Sequence, residues 1–173
     1  EFPEPTVEGM QAVAQAYIDA GLRAVIAPMV ADRSFYEAIP GLADALPSPI
    51  NIKLGSADST LATLRRVFSN SGVLDGDQVR GALAPTIPLH CSDPFIRGCR
   101  DLAEELDIGV HMHLAESKVQ AVAGMKVYGK TLTAHLDDLG LLSPRFTAAH
   151  GVWLDNDDIR RIGANGGAVA HNP

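Results

Sequence analysis

Five short apolar runs separated by helical patterns constrain this chain more than any other feature. Arg23 to Val30 (RAVIAPMV) has no polar alternation after its arginine, as expected of a strand buried on both faces. Further strands are expected at Val79 to Ala84, Ile108 to Leu114 (IGVHMHL), Phe146 to His150 (FTAAH) and Gly167 to His171 (GAVAH). Between them lie helical segments. Val7, Met10, Val13, Ala14, Tyr17 and Ile18 recur at spacings of three and four, with Thr6 as N-cap and Gly21 as the stop. Helices are also expected over Asp58 to Phe68, from Ser92 and Asp93 to Leu106, and over Val119 to Met125, Thr131 to Leu139 and Asp155 to Ala164. Strands alternating with helices mean a parallel sheet covered by helices. The expected fold is α/β, a partial TIM-type (β/α) barrel of about five consecutive units, short of the eight strands that close a barrel.

Composition narrows the partners. With 46% hydrophobic and 20% charged residues in 173, the chain reads as an ordinary globular protein. Its 14 Lys and Arg against 21 Asp and Glu give a net charge of −7, which argues against nucleic acid and for a small-molecule ligand. Cys91 and Cys99 form neither a CxxC pair nor a disulfide framework, so a reduced, cytoplasmic protein is expected. No apolar run reaches the roughly 20 residues of a membrane span, and Glu1 to Pro5 does not open like a signal peptide.

The polar residues that stand out sit at the C-terminal ends of expected strands. His111, His113 and Glu116 end one strand, His150 the next and His171 the last. Parallel barrels build their sites at that face, and positions 111 and 113 of one strand point the same way. Taken singly, each histidine reads as a buried ring bonded to its neighbours. Three successive strand ends bearing histidine, one with a carboxylate three residues on, read better as metal chemistry. Neutral imidazole binds zinc, and a carboxylate beside the metal can move the protons of its water.

HMHLAES (His111 to Ser117), YGKTLTAHLDDLGLL (Tyr128 to Leu142), FTAAHGVWLDNDDIRRI (Phe146 to Ile162) and GGAVAHNP (Gly166 to Pro173) resemble the central part of the amidohydrolase superfamily. The branch most similar is that of chlorohydrolases, guanine deaminases and adenosine-type deaminases. APTIPLHCSD (Ala84 to Asp93) is similar to its fourth-strand segment. The resemblance implies that residues 1–173 are the central part of a single metal-dependent barrel domain whose first and last strands are not covered. It implies His113 as a ligand of one divalent metal, zinc ahead of iron. It makes Glu116 the acid and base, and His150 the hydrogen-bonding partner of the attacking water or the attacked group. His171 and Asn172 match an HNP turn on the substrate side, where His171 serves equally well as a shaper of the turn. Thr86 stands where some purine deaminases of the group have a substrate-contacting histidine, a departure that counts against adenosine-like substrates. The ligands of the first and eighth strands have no counterpart, and no lysine between Val79 and Pro88 supports a two-metal variant.

The implied reaction is hydrolytic deamination of a nitrogen heteroaromatic ring. The alternatives are a hydrolytic dehalogenase of the same superfamily, or an inactive piece that associates with copies of itself or with the missing parts of the barrel. A P-loop pattern, GMKVYGKT over Gly124 to Thr131, is a weaker rival. The preceding SKVQAVA reads as helix rather than strand, and the loop would be filled by bulky residues, leaving Lys130 a solvated side chain near a helix start. GxSxG, GxGxxG and HExxH do not occur.

Overall fold

The computed structural model describes residues 4–47, 54–73 and 76–173. Helix α1 (Val7–Asp19) starts where the Thr6 hydroxyl accepts from the Gly9 N–H. The chain then enters the sheet as two pieces, β1 (Ala24–Ile26) and β2 (Met29–Val30). Both lie parallel to β3 (Val79–Pro85), Ala24 beside Val79 and Met29 beside Ala84, so one register runs through both. The single strand expected over 23–30 is therefore interrupted at Ala27 and Pro28, because proline has no N–H to give a ladder.

A short helix α2 (Phe35–Ala38), set by a Ser34–Glu37 capping box, precedes α3 (Ala57–Ser71), which ends on the left-handed Gly72. After β3 come α4 (Asp93–Leu106), capped by Ser92, and β4 (Gly109–Leu114). Helices α5 (Lys118–Tyr128) and α6 (Leu132–Asp138), strand β5 (Phe146–His150), α7 (Asn156–Ala164) and β6 (Ala168–Ala170) complete the order. Every strand pairing is parallel and the sheet runs β1-β3-β4-β5-β6, with β2 extending β1 along β3. This is the open part of a (β/α) barrel that the alternation predicts.

The helix-side face of the sheet holds the core. Leu83, Met112, Leu114, Phe146 and Ala148 share one buried cluster with Leu64 and Phe68 of α3, Phe95, Ile96 and Leu102 of α4 and Leu136 of α6. Packing is close enough that a Cβ on Gly81 would meet Phe68 Cε1 at 2.4 Å. Along β4, Val110, Met112 and Leu114 are buried while His111 and His113 are only half-buried, which sends both imidazoles to the opposite face. The P-loop pattern is a turn between helices. Gly129 ends α5 in left-handed backbone, Thr131 caps α6, and Lys130 pairs with Asp138 at 2.5 Å. With no strand leading into it, that reading is set aside.

Candidate active site

Two neighbouring strands end in the same way. Ala115, directly after β4, has φ 52°, and His150, the last residue of β5, has φ 75°, followed by Gly151 at 65°. Left-handed backbone is uncommon for residues other than glycine, and such residues gather at functional sites. The two turns are laced together, the Gly151 N–H donating to Leu114 O at 3.0 Å and the Trp153 N–H to Ala115 O at 2.8 Å. Glu116 thus leaves its strand beside the end of β5.

Three imidazoles are pinned alike. His113 Nδ1 lies 2.9 Å from Thr86 O, His150 Nδ1 2.9 Å from Asn172 O, and His171 Nδ1 2.9 Å from His150 O. A carbonyl oxygen only accepts, so each Nδ1 carries the hydrogen and the neutral ring keeps its lone pair on Nε2. That is the tautomer a metal-binding or proton-accepting histidine needs. The Thr86 carbonyl also accepts the His113 backbone N–H at 2.9 Å, fixing ring and main chain through one atom. The His113 and His150 rings stack at 5.4 Å.

Glu116 Oε1 stands 3.9 Å from His150 Nε2, beyond a direct hydrogen bond and near enough for both to touch one reacting group. The carboxylate is held from behind by Gln120. Gln120 Nε2 donates to Glu116 Oε2 at 3.1 Å, and Gln120 Oε1 accepts the Glu116 backbone N–H at 3.2 Å. Gln120 is buried, and the Ser117 hydroxyl that caps α5 accepts its N–H. In the sequence Gln120 is marked only as part of a helix start, by the Ser-x-x-Gln signature of Ser117-Lys-Val-Gln120, and nothing local ties it to the site.

His113, Glu116 and His150 therefore come together at the C-terminal end of the sheet, and His171 and Asn172 join them through the contacts to His150. Asn172 turns its side-chain Nδ2 back to Ala170 O at 3.1 Å, so it reaches His150 by its main chain. Thr86 is 3% exposed and directs its hydroxyl to His90 Nδ1 at 3.3 Å, so its carbonyl is what meets the site. His90 Nε2 is buried with no partner among the described residues, and burial lowers the pKa of that ring below the ordinary histidine value. His111 is also held below it, by burial first and then by His113 and His150. It lines a cavity of about 830 Å³ that includes Arg80, Gly109 and Arg145, at the opposite ends of the strands.

Among the described residues, no three His, Cys, Asp or Glu side chains gather to hold a metal by themselves. The donor chemistry that is present fits one, since His113 offers a neutral Nε2 lone pair from a ring fixed by a carbonyl behind it. Among the same residues, no helix is long and apolar enough to cross a membrane.

Residues 1–173 of this chain match the amidohydrolase family model. The chain belongs to the amidohydrolase family. This amidohydrolase chain is 30% identical over 167 residues to a 5'-deoxyadenosine deaminase of Methanopyrus kandleri, a match covering 95% of this chain and 34% of that protein. It is 38% identical over 100 residues to a 5-methylthioadenosine/S-adenosylhomocysteine deaminase of Pyrococcus abyssi, covering 58% of this chain and 24% of the relative. The crystal structure of an adenosine deaminase from Xanthomonas campestris with bound zinc superposes with a TM-score of 0.75 at 26% identity, over 95% of this chain and 33% of that one. An atrazine chlorohydrolase from Arthrobacter aurescens, complexed with zinc, gives 0.74 at 21% identity, over 99% and 36%, and bears on the fold alone. The chain spans about a third of the length of the relatives it matches.

Proposed function

We propose that this chain forms the middle of a single amidohydrolase barrel that hydrolytically deaminates a nitrogen heteroaromatic ring. One observation carries the reading: a carboxylate and two carbonyl-pinned imidazoles, Glu116, His113 and His150, meet at the C-terminal ends of adjacent parallel strands. The covered third of its relatives and the open sheet support a barrel completed by strands outside these residues.

When bound, a divalent metal, zinc ahead of iron, supplies the Lewis acidity that makes water nucleophilic near neutral pH. His113 would hold it through Nε2. Glu116 Oε1 takes the proton from the attacking water and passes it to a ring nitrogen or the departing amine, so that ammonia can leave. His150, with Nδ1 committed to Asn172 O, presents Nε2 to the same space and accepts a hydrogen bond from the attacking water. His171 and Asn172 flank this space, Asn172 through the carbonyl that holds His150 and His171 through its bond to the His150 carbonyl. The relatives' names make the adenine ring of 5'-deoxyadenosine and 5-methylthioadenosine the first ring to try. Thr86 is buried and turns its hydroxyl away from this site to His90, so it gives the ring no side-chain contact and takes no part in the proton relay.

The test is ammonia release by the full-length zinc-loaded enzyme from aminopurine nucleosides, aminopyrimidines and aminotriazines, with Glu116→Gln as control. Release that falls by about 10² to 10⁴ in the variant is expected of a lost acid and base. Undiminished release would refute the relay, and halide release from a chlorotriazine without ammonia from any ring would replace deamination by dehalogenation.

A further inference from the structure

We infer that His171 is a positioning residue for His150, clamping the carbonyl of that residue and so holding its ring at Glu116. The inference rests on the reading that His150 works in the reaction. Its structural basis is a reciprocal latch. His150 donates through its ring to the main chain of Asn172, and His171 donates through its ring to the main chain of His150, both at 2.9 Å. Each imidazole closes the turn that carries the other.

The latch sits where the sheet gives out. The ladder between β5 and β6 ends at Ala149 beside Ala170. One residue further the His150 backbone enters the left-handed region at φ 75°, a conformation that side-chain-bearing residues resist. A donor locked onto the His150 carbonyl restrains that peptide in its turned state, and the His171 ring supplies it. Release of the carbonyl leaves that peptide held only through the Gly151 N–H on Leu114 O, and with one of its two restraints gone the ring can swing away from Asn172 O and from its 3.9 Å approach to Glu116. His171 is exposed, so its effect does not run through core packing. It runs through the tautomer and aim of His150.

The latch is tested in the full-length enzyme with its histidines labelled with ¹⁵N, by long-range proton–nitrogen correlation at pH 8, where neutral imidazole predominates. His150→Gln assigns the His150 signals. In the unaltered chain His150 is expected to show one tautomer, Nδ1 protonated and Nε2 bare. His171→Phe is expected to abolish that single-tautomer signature. His171→Asn, whose Nδ2–H can reach the same carbonyl, is expected to retain it. A folded His171→Phe chain with the His150 signature unchanged would overturn the inference. Should the Phe variant not fold, His171→Ala takes its place, loss of the single-tautomer signature supporting the latch and an unchanged signature overturning it. In the full-length zinc-loaded enzyme, His171→Phe is expected to lower kcat about ten- to a hundredfold, the size usual for outer hydrogen-bond partners, with KM within about twofold. A raised KM with kcat unchanged would make His171 a substrate contact instead. Because the tautomer is read without turnover, a failure of the deamination reading leaves this result standing.

Discussion

The imidazoles of His113 and His150 stack with centroids 5.4 Å apart and planes 21° from parallel, although they leave different strands. With each Nδ1 tied to a carbonyl, neither ring can flip without losing a bond. His113→Phe preserves the ring face and removes the nitrogens. In the full-length enzyme it is expected to cost about 1 kcal/mol in thermal unfolding for the lost hydrogen bond, while metal per chain, by elemental analysis, falls severalfold. Thr86→Val, by contrast, keeps the carbonyl that holds His113 and is expected to leave metal content unchanged. Equal metal loss in both variants would show that the Thr86 hydroxyl, not its main chain, carries the contact.

Gln120 grips Glu116 twice, once at the carboxylate and once at the backbone N–H. Gln120→Leu keeps most of the volume and severs both contacts. The expected outcome is a drop in kcat of about tenfold, with KM little changed, as for a second-layer partner. A variant with wild-type kcat would mean that the turn at Ala115 aims Glu116 unaided.

Two glycines should respond to alanine with opposite signs. Gly81 faces Phe68 Cε1 at 2.4 Å from an added Cβ, so Gly81→Ala is expected to destabilise by about 1–3 kcal/mol through overpacking. Gly163 lies within α7 with open space around an added Cβ, and Gly163→Ala is expected to stabilise by about 0.5–1 kcal/mol through helix propensity. Urea midpoints at fixed pH measure both, and a like sign for the two would contradict the packing described.

Burial lowers the pKa of His90, so the folded chain resists a proton that the unfolded chain takes freely. Stability is therefore full above the ordinary histidine pKa of about 6.5 and is lost as pH falls through that value toward the lowered one. His111 acts with the same sign. Denaturation midpoints should fall between pH 7 and pH 5, and His90→Phe should flatten the slope. An identical slope in the variant would assign the loss to other groups.

The succession of strands and helices was legible because hydrophobic period and capping residues are local, as at Thr6 and Ser92, each of which caps the helix expected after it. Histidines at strand ends were equally plain, since β4 alternates strictly. The pause at Pro28 was not, because hydrophobicity does not register a missing N–H. Nor was α2, four residues being too few to display a period even though Ser34 and Glu37 spell its cap. Contacts between distant segments, such as Arg65 with Glu105 at 2.7 Å or His135 with Asp93 at 3.0 Å, follow from the packing of whole helices and carry no local mark.

The anchors of His113, His150 and His171 are the oxygens of Thr86, Asn172 and His150. Such atoms belong to every residue type, so no codon specifies them and no single missense change deletes them. Positions 86 and 172 can drift in identity for as long as the path of the chain is kept. Inherited damage should then concentrate on the rings themselves and on changes, such as proline insertions or shifted turns, that bend the path on which the anchors ride.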